Sequence, residues 1–176
     1  MSLRMPAPDA ATLAGRDDLI AALRAIVPAD DVVADERALR TFESDGLTAY
    51  RQVPLLAVLP QTTAQVAAIL KLCNERRVKV VPRGSGTSLS GGALPLVDGV
   101  LLCMGKFNKV LEIDWQNRSV TAQPGVTNLG LTKAVEHAGF YYAPDPSSQI
   151  ACSIGGNVAE NSGGVHCLKY GMTTNN

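Results

Sequence analysis

The sequence lacks several features that would place it in a common class of protein. Lysine plus arginine and aspartate plus glutamate each count 16, so the net charge is zero, and no basic stretch is present to bind nucleic acid. No apolar run is long enough to span a bilayer, and the N-terminus has no apolar core of a secretion signal. We therefore expect a cytoplasmic protein that does not bind nucleic acid.

The sequence also lacks a metal-ligand or disulfide pattern. The four cysteines form no CxxC pair, and two of them lie in apolar runs, where cysteine behaves as a small hydrophobic residue. His166 and Cys167 are adjacent but have no third ligand at a usual spacing, so we expect a structural role for them and no metal site. His137, near a helix end, is assigned no chemistry. Reduced thiols are expected at Cys73, Cys103, Cys152 and Cys167.

Hydrophobic residues make up 46% of the chain, enough for one domain or for two small lobes that pack together. Asp17 and Asp18 open an amphipathic helix that ends at Pro28. Residues 54–60 and 78–81 are strand-like, and a helix capped by Thr62 lies between them. This order predicts a βαβ unit with parallel strands and a right-handed crossover.

The second half of the chain has a different pattern. Strand-like stretches at residues 99–104, 109–114 and 119–125, two of them around a polar turn, favour an antiparallel arrangement from about residue 105. A helix over residues 128–139 ends in a glycine cap. No closing element follows, so we expect the front part of a longer protein. The predicted divisions are an N-terminal helical segment (1–44), a first lobe (45–104) and a truncated second lobe (105–176).

One stretch, VVPRGSGTSLSGGALPL at residues 80–96, is unusually rich in glycine and hydroxyl residues. It follows a predicted parallel strand, where open α/β sheets bind ligands, and its backbone N–H groups could hold an anion. However, the stretch does not match the common phosphate-binding motifs. The third position of a GxGxxG pattern is Leu89, and Gly92 stands where a P-loop has lysine. A phosphate-containing ligand is predicted at a site of another kind.

Three segments resemble one known family. They are residues 82–92, QPGV at residues 123–126, and PDPSSQIACSIGGNVAENSGG at residues 144–164. Together they are similar to the FAD-binding domain of the vanillyl-alcohol-oxidase type, a fold shared by FAD-linked D-2-hydroxyacid dehydrogenases. The resemblance implies an α+β fold with two lobes, a small parallel βαβ lobe and an incomplete mixed or antiparallel lobe. FAD is implied to lie between them.

The resemblance also implies which residues meet FAD. The first glycine loop would wrap the pyrophosphate with backbone N–H groups, and the second glycine-rich region would approach the flavin and ribityl chain from the other lobe. Some members attach FAD to a histidine where this sequence has Thr87, so non-covalent FAD is expected. The cofactor-binding residues implied are Arg83, Gly84, Ser85, Gly86, Thr87, Ser88, Gly125, Pro146, Cys152, Ser153, Gly156, Asn157 and Asn161.

The implied activity is oxidation of a small 2-hydroxyacid, glycolate first, with hydride passing from substrate C2 to flavin N5. D-lactate or another D-2-hydroxyacid is the alternative substrate, and a non-catalytic FAD-fold assembly subunit is the alternative of another class. Catalytic residues are expected beyond Asn176, so none is named. Implied partners are a second FAD-fold subunit and an iron–sulfur subunit, as in multi-subunit glycolate oxidases, which could hold the protein peripherally at the inner membrane.

Overall fold

The computed structural model describes residues 7–176, so the first six residues of the predicted N-terminal segment lie outside the described part. The helices in that part are α1 (Ala10–Ala14), α2 (Arg16–Arg24), α3 (Glu36–Leu39), α4 (Thr63–Glu75), α5 (Asn128–Val135), α6 (Ile154–Glu160) and α7 (Cys167–Tyr170). The strands are β1 (Val32–Val33), β2 (Leu56–Val58), β3 (Lys79–Arg83), β4 (Gly99–Cys103), β5 (Val110–Asp114) and β6 (Ser119–Ala122). Within residues 7–176, no helix is both long and apolar enough to cross a membrane.

The larger sheet has four strands in the order β1-β2-β4-β3. β4 is central and pairs in parallel with both neighbours, so that Val100 lies opposite Leu56 on one side and Val80 on the other. The predicted parallel βαβ unit is confirmed, because β2 and β3 have the same direction and α4 connects them. The insertion of β4 between these strands was not predicted, and it buries all of β4.

Helix α4 begins where the sequence predicted. The Thr62 side chain accepts a hydrogen bond from the backbone N–H of Gln65 at 3.2 Å, as an N-cap should. The Gln65 side chain accepts from the backbone N–H of Gln61 at 2.8 Å, so the reciprocal bond goes to the residue before the cap. Ile69 and Cys73 are buried against the sheet. The cap and the apolar face together place α4 across one side of β2, β4 and β3.

The residues before position 45 complete this core. The predicted acidic helix is confirmed as α2, whose Leu19 and Leu23 are buried in the same hydrophobic cluster as Ile69 of α4. β1 pairs antiparallel with β2 and adds an edge strand to the sheet. Leu39 of α3 packs in a second cluster on the other face. The predicted boundary at residue 44 remains a prediction, although the preceding residues pack directly on the sheet.

The second half begins with the predicted antiparallel hairpin of β5 and β6. Its polar turn leaves Trp115 44% exposed, beside the rings of His137 and Phe140. Helix α5 is capped by Thr127 and continues into a 3-10 turn that ends at Gly139, which has a φ of 81°. The expected glycine cap is therefore present. These elements confirm a parallel lobe followed by an antiparallel one.

All four cysteines are free thiols. Cys73, Cys103 and Cys152 are buried, and Cys167 is exposed. Burial raises the pKa of the Cys103 thiol to about 12 and also raises the pKa of Cys73. These two thiols stay protonated near neutral pH and serve as small core residues, as expected.

Candidate functional site

The first glycine loop, residues 84–92, begins directly after β3 and ends before β4, at the carboxyl edge of the parallel strands. Gly86 and Gly91 have φ angles of 72° and 81°, in the left-handed region that side chains disfavour. The Arg83 guanidinium lies under Gly86 and donates from Nη1 to the carbonyl oxygens of Phe42 and Ala93, each at 3.3 Å. Arg83 therefore shapes the loop from beneath.

The loop meets the second glycine-rich region, residues 152–161, at Gly84. A Cβ on Gly84 would overlap Ser153 Oγ and would lie 3.8 Å from the backbone nitrogen of Gly156. Ser153 is the N-cap of α6 and accepts from that same N–H group at 3.2 Å. Three of the residues implied as cofactor-binding are thus brought together by the fold: Gly84 from the first loop, and Ser153 and Gly156 from the start of α6.

At its other end the loop contacts the end of α6 and a turn near residue 46. The hydroxyls of Ser88 and Ser90 donate to the carboxylate of Glu160, and Gly46 N–H donates to the Ser88 carbonyl at 3.0 Å. A Cβ on Gly46 would lie 2.6 Å from the Thr87 carbonyl oxygen. Of the remaining loop residues, Ser85 is exposed and Thr87 is half-buried.

The second region is held in place by backbone hydrogen bonds to its own lobe. Cys152 N–H donates to the Ser148 carbonyl at 2.8 Å, and the Cys152 carbonyl accepts from Asn128 N–H at 2.9 Å. Pro146 is buried, and its carbonyl accepts from Gln149 N–H at 2.8 Å. Cys152 and Pro146 consequently form the buried support of this region.

Gly125 of the QPGV segment lies where the two lobes join. Its N–H donates to the Phe107 carbonyl at 2.8 Å. A Cβ there would overlap the Met104 carbonyl oxygen and lie 2.7 Å from that of Phe107. The protein's own backbone therefore requires glycine at this position, whatever the cofactor requires.

The two asparagines implied as cofactor-binding differ in their surroundings. Asn157 on α6 is 1% exposed, and its side-chain nitrogen is buried without a hydrogen-bond partner among the described residues. Such a donor is costly unless a ligand or solvent satisfies it. Asn161 has a φ of 50°, and its side-chain oxygen accepts from both the N–H and the hydroxyl of Thr174. Asn161 thus orders the chain that follows α6.

His166 pairs with Asp145, as a structural role predicts. Its Nδ1 lies 2.6 Å from Asp145 Oδ2, and this hydrogen bond holds the pKa of the Asp145 carboxyl below its usual value. No group of three histidine, cysteine or acidic side chains within residues 7–176 is arranged to hold a metal ion.

Sequence reasoning missed three residues at this site. Asp45 is 6% exposed, and its Oδ2 has no hydrogen-bond partner among residues 7–176, while Gly46 and Glu160 contact the first loop directly. The Asp-Gly pair signals a turn, but nothing in the sequence links it to a loop about forty residues away. Glu160 follows the second glycine pair closely, which is the one signal that could have drawn attention to it.

Comparisons with known proteins show the family to which this chain is related. Residues 54–176 match the family model described as an FAD binding domain. The chain is 56% identical over 161 residues to the glycolate oxidase subunit GlcD of Escherichia coli K12, covering 92% of this chain and 32% of that protein. It is 38% identical over 157 residues to D-lactate dehydrogenase of Anaerostipes hadrus, covering 89% of this chain and 33% of that protein.

Among solved structures, alkyldihydroxyacetonephosphate synthase superposes with a TM-score of 0.81 at 24% identity, covering 97% of this chain and 33% of that one. At this identity the likeness concerns the fold. The chain spans about a third of the length of each of these proteins.

Proposed function

Because the chain belongs to the family of FAD-binding domains, we propose that it forms the cofactor-binding part of an FAD-linked oxidoreductase that oxidises a small 2-hydroxyacid, with glycolate as the first candidate. The observation that carries this proposal is the contact between the first glycine loop and the start of α6 at Gly84 and Ser153. It brings two glycine-rich stretches of backbone together at the carboxyl edge of a parallel sheet.

The residues present fit FAD in two respects. The backbone N–H groups of residues 84–87 donate no hydrogen bond within residues 7–176, so they are available to a pyrophosphate, which such groups bind well. The buried side-chain nitrogen of Asn157 is a hydrogen-bond donor without a partner among residues 7–176, next to Gly156 near the start of α6. A polar ligand that reaches this nitrogen would satisfy it.

The residues proposed to hold FAD are the backbone of residues 84–87 and the start of α6 from Ser153 to Asn157. When bound, FAD supplies the redox chemistry by accepting a hydride from C2 of the hydroxyacid. The chain's own part is to bind and orient the cofactor: Arg83 fixes the shape of the loop, and Ser153 fixes the start of α6. Groups that hold the substrate carboxylate and take the hydroxyl proton are proposed to lie beyond Asn176.

We propose non-covalent FAD, since Thr87 cannot form a histidyl bond. Acid precipitation of the full-length protein should leave yellow flavin in the supernatant. Flavin that stays in the washed pellet would contradict non-covalent attachment, but it would not contradict FAD binding.

The substrate proposal rests on the higher identity to the glycolate oxidase subunit than to the D-lactate dehydrogenase. The test is anaerobic bleaching of the full-length protein's flavin. Glycolate should bleach it faster than ethylene glycol, which carries a hydroxymethyl group in place of the carboxylate. D-lactate and D-2-hydroxyglutarate form the competing arms, and faster bleaching by either would reassign the substrate. No bleaching by any acid would favour a non-catalytic assembly subunit.

We also propose that the protein works as one subunit of a cytoplasmic oxidase, with a second FAD-fold subunit and an iron–sulfur subunit that bring it to the inner membrane. The support is that the Escherichia coli relative is a subunit of glycolate oxidase.

A further inference from the structure

The end of α6 contacts the first glycine loop through a single carboxylate. Glu160 is the last residue of α6, and its Oε1 accepts from Ser88 Oγ at 2.7 Å while its Oε2 accepts from Ser90 Oγ at 3.0 Å. The two serines precede Glu160 by 72 and 70 positions in the chain. We call these three residues the Glu160 clasp.

The hydroxyl and the carbonyl of Ser88 are already hydrogen-bonded within the protein. Its hydroxyl donates its one proton to Glu160, the same oxygen accepts from Ser90 N–H at 3.0 Å, and its carbonyl accepts from Gly46 N–H at 3.0 Å. The Ser90 hydroxyl proton also goes to Glu160. These hydroxyls therefore have no proton left for a phosphate, and the carboxylate between them would repel one.

The loop also contacts α6 at a second point, where Gly84 lies against Ser153 at the start of the helix. α6 has 7 residues, so the two points are separated by about 10 Å along its axis. Residues 85–87 lie between them, and they belong to the segment proposed to hold the pyrophosphate. The loop is fixed to the helix on both sides of that segment.

We propose that Glu160 is a positioning residue, which with Ser88 and Ser90 sets the spacing between the first glycine loop and α6 so that the backbone of residues 84–87 is ready to bind pyrophosphate. The Ser88 side chain acts through Glu160 and donates no hydrogen bond to the cofactor. The inference rests on the proposed FAD site, and it changes the role assigned to Ser88.

The first experiment measures FAD affinity of the full-length apoprotein by flavin fluorescence quenching. Glu160→Gln removes the charge and cannot accept from both serines in the same way, so FAD should bind about tenfold more weakly, as the loss of one or two exposed hydrogen bonds predicts. The matched control is Glu136→Gln, because Glu136 is exposed and makes no side-chain hydrogen bond within the described residues. Unchanged or tighter binding by Glu160→Gln would overturn the proposal.

The second experiment tests whether Ser88 acts through Glu160. Ser88→Ala should weaken FAD binding, and Ser88→Thr, which keeps the hydroxyl, should restore it to within about twofold. In the double variant Ser88→Ala with Glu160→Gln, the loss should be smaller than the product of the two single losses, because both remove the same contact. If the loss of FAD affinity in the double variant equals the product of the two single losses, Ser88 affects FAD binding independently of Glu160. That result would overturn the role assigned to Ser88.

The third experiment separates failure of the clasp from failure of the proposed function. Hydrogen exchange of residues 84–92 is measured in cofactor-free protein, where Glu160→Gln should raise the exchange rate and Glu136→Gln should not. Parent protein that binds no FAD would refute the proposed function, and with it the inference. If the parent binds FAD normally but Glu160→Gln leaves the exchange rate of residues 84–92 unchanged, the role of the clasp is refuted and the proposed function is not.

Discussion

Gly86 and Gly91 lie in the same loop, but different structural constraints favour glycine at the two positions. Both have left-handed backbone angles, which cost a branched side chain roughly 1–2 kcal/mol. Around Gly91 a Cβ would meet no atom of the described residues within 4 Å, whereas at Gly86 it would overlap the Arg83 guanidinium. Of these two positions, only Gly86 is one where a side chain would also displace the Arg83 guanidinium.

Gly86→Val should therefore abolish most FAD binding by the full-length protein, and Gly91→Val should leave most of it. Valine at position 86 displaces Arg83 from the Phe42 and Ala93 carbonyls, two bonds worth about 0.5–1.5 kcal/mol each. Flavin content per protein is the measurement, and circular dichroism checks that both variants fold. Equal flavin content in the two variants would mean that backbone strain, and not Arg83, decides the outcome.

Steric crowding at Gly125 predicts that an added methyl group destabilises the fold. Gly125→Ala should lower the free energy of unfolding by about 1–3 kcal/mol, because its methyl group would collide with the Met104 and Phe107 carbonyls. Gly105→Ala is the control, since a Cβ there meets nothing within 4 Å. Urea denaturation measures both. A cost at Gly105 as large as at Gly125 would show that the collision is not the cause.

At the scale of elements, the sequence predicted what is local and missed what is distant. The Thr62 cap and the apolar spacing of α4 are set by neighbouring residues, and so is the Gly139 helix end. β1 has two residues, too few for a periodic pattern, and the position of β4 depends on which strands share apolar faces. Glu160 lies 72 positions from Ser88, so only folding shows that they meet.

An ion pair connects the short 3-10 turn before β1 with the turn that follows β4. Asp31 is 1% exposed, bonds to Lys106 and accepts from Gln61 Nε2 at 2.8 Å. Burial disfavours its charge, but the bonds from Lys106 and Gln61 outweigh burial, and the pKa of the Asp31 carboxyl lies below its ordinary value of 3.8. Its stabilising contribution is thus complete above the unfolded-state pKa and is lost as the pH falls through the lower folded-state pKa.

Asp31→Asn should lower the free energy of unfolding near pH 7 by about 1–3 kcal/mol, since the amide cannot replace the ion pair. Below about pH 4, the variant should lose stability less steeply than the parent, because this position no longer titrates. Denaturation at a series of pH values measures both effects, with exposed Asp30→Asn as the control. Parallel pH curves for the parent and Asp31→Asn would refute the pKa direction.

At the scale of the whole molecule, large apolar side chains lie exposed on and around the end of the second lobe. Leu168 is 99% exposed, Val165 86% and Ile150 76%. Relatives are about three times as long as this chain. We infer that in a protein of that length, additional chain covers this face and helps to bury FAD at the proposed site.

The 176-residue chain should accordingly bind FAD more weakly than a protein extended to the length of its relatives. If on the order of 100 Å² of flavin stays uncovered, about 2.5 kcal/mol is lost at roughly 25 cal/mol per Å², which is nearly two decades in affinity. Calorimetric titration of FAD into both proteins measures the difference. Equal affinity would show that the two glycine regions suffice.

The central position of β4 also affects the order in which the protein can fold. β2, α4 and β3 all precede β4 in the chain, yet neither β2 nor β3 has a parallel partner until β4 lies between them. During synthesis the nascent chain must therefore extend past residue 103 before the parallel sheet can assemble. Pairing of β3 with β4 closes the segment from Arg83 to Gly99, which contains the first glycine loop, so the entropy of closing this loop opposes that step. The glycines of the first loop therefore lie in a connection that must be ordered before the parallel sheet is complete.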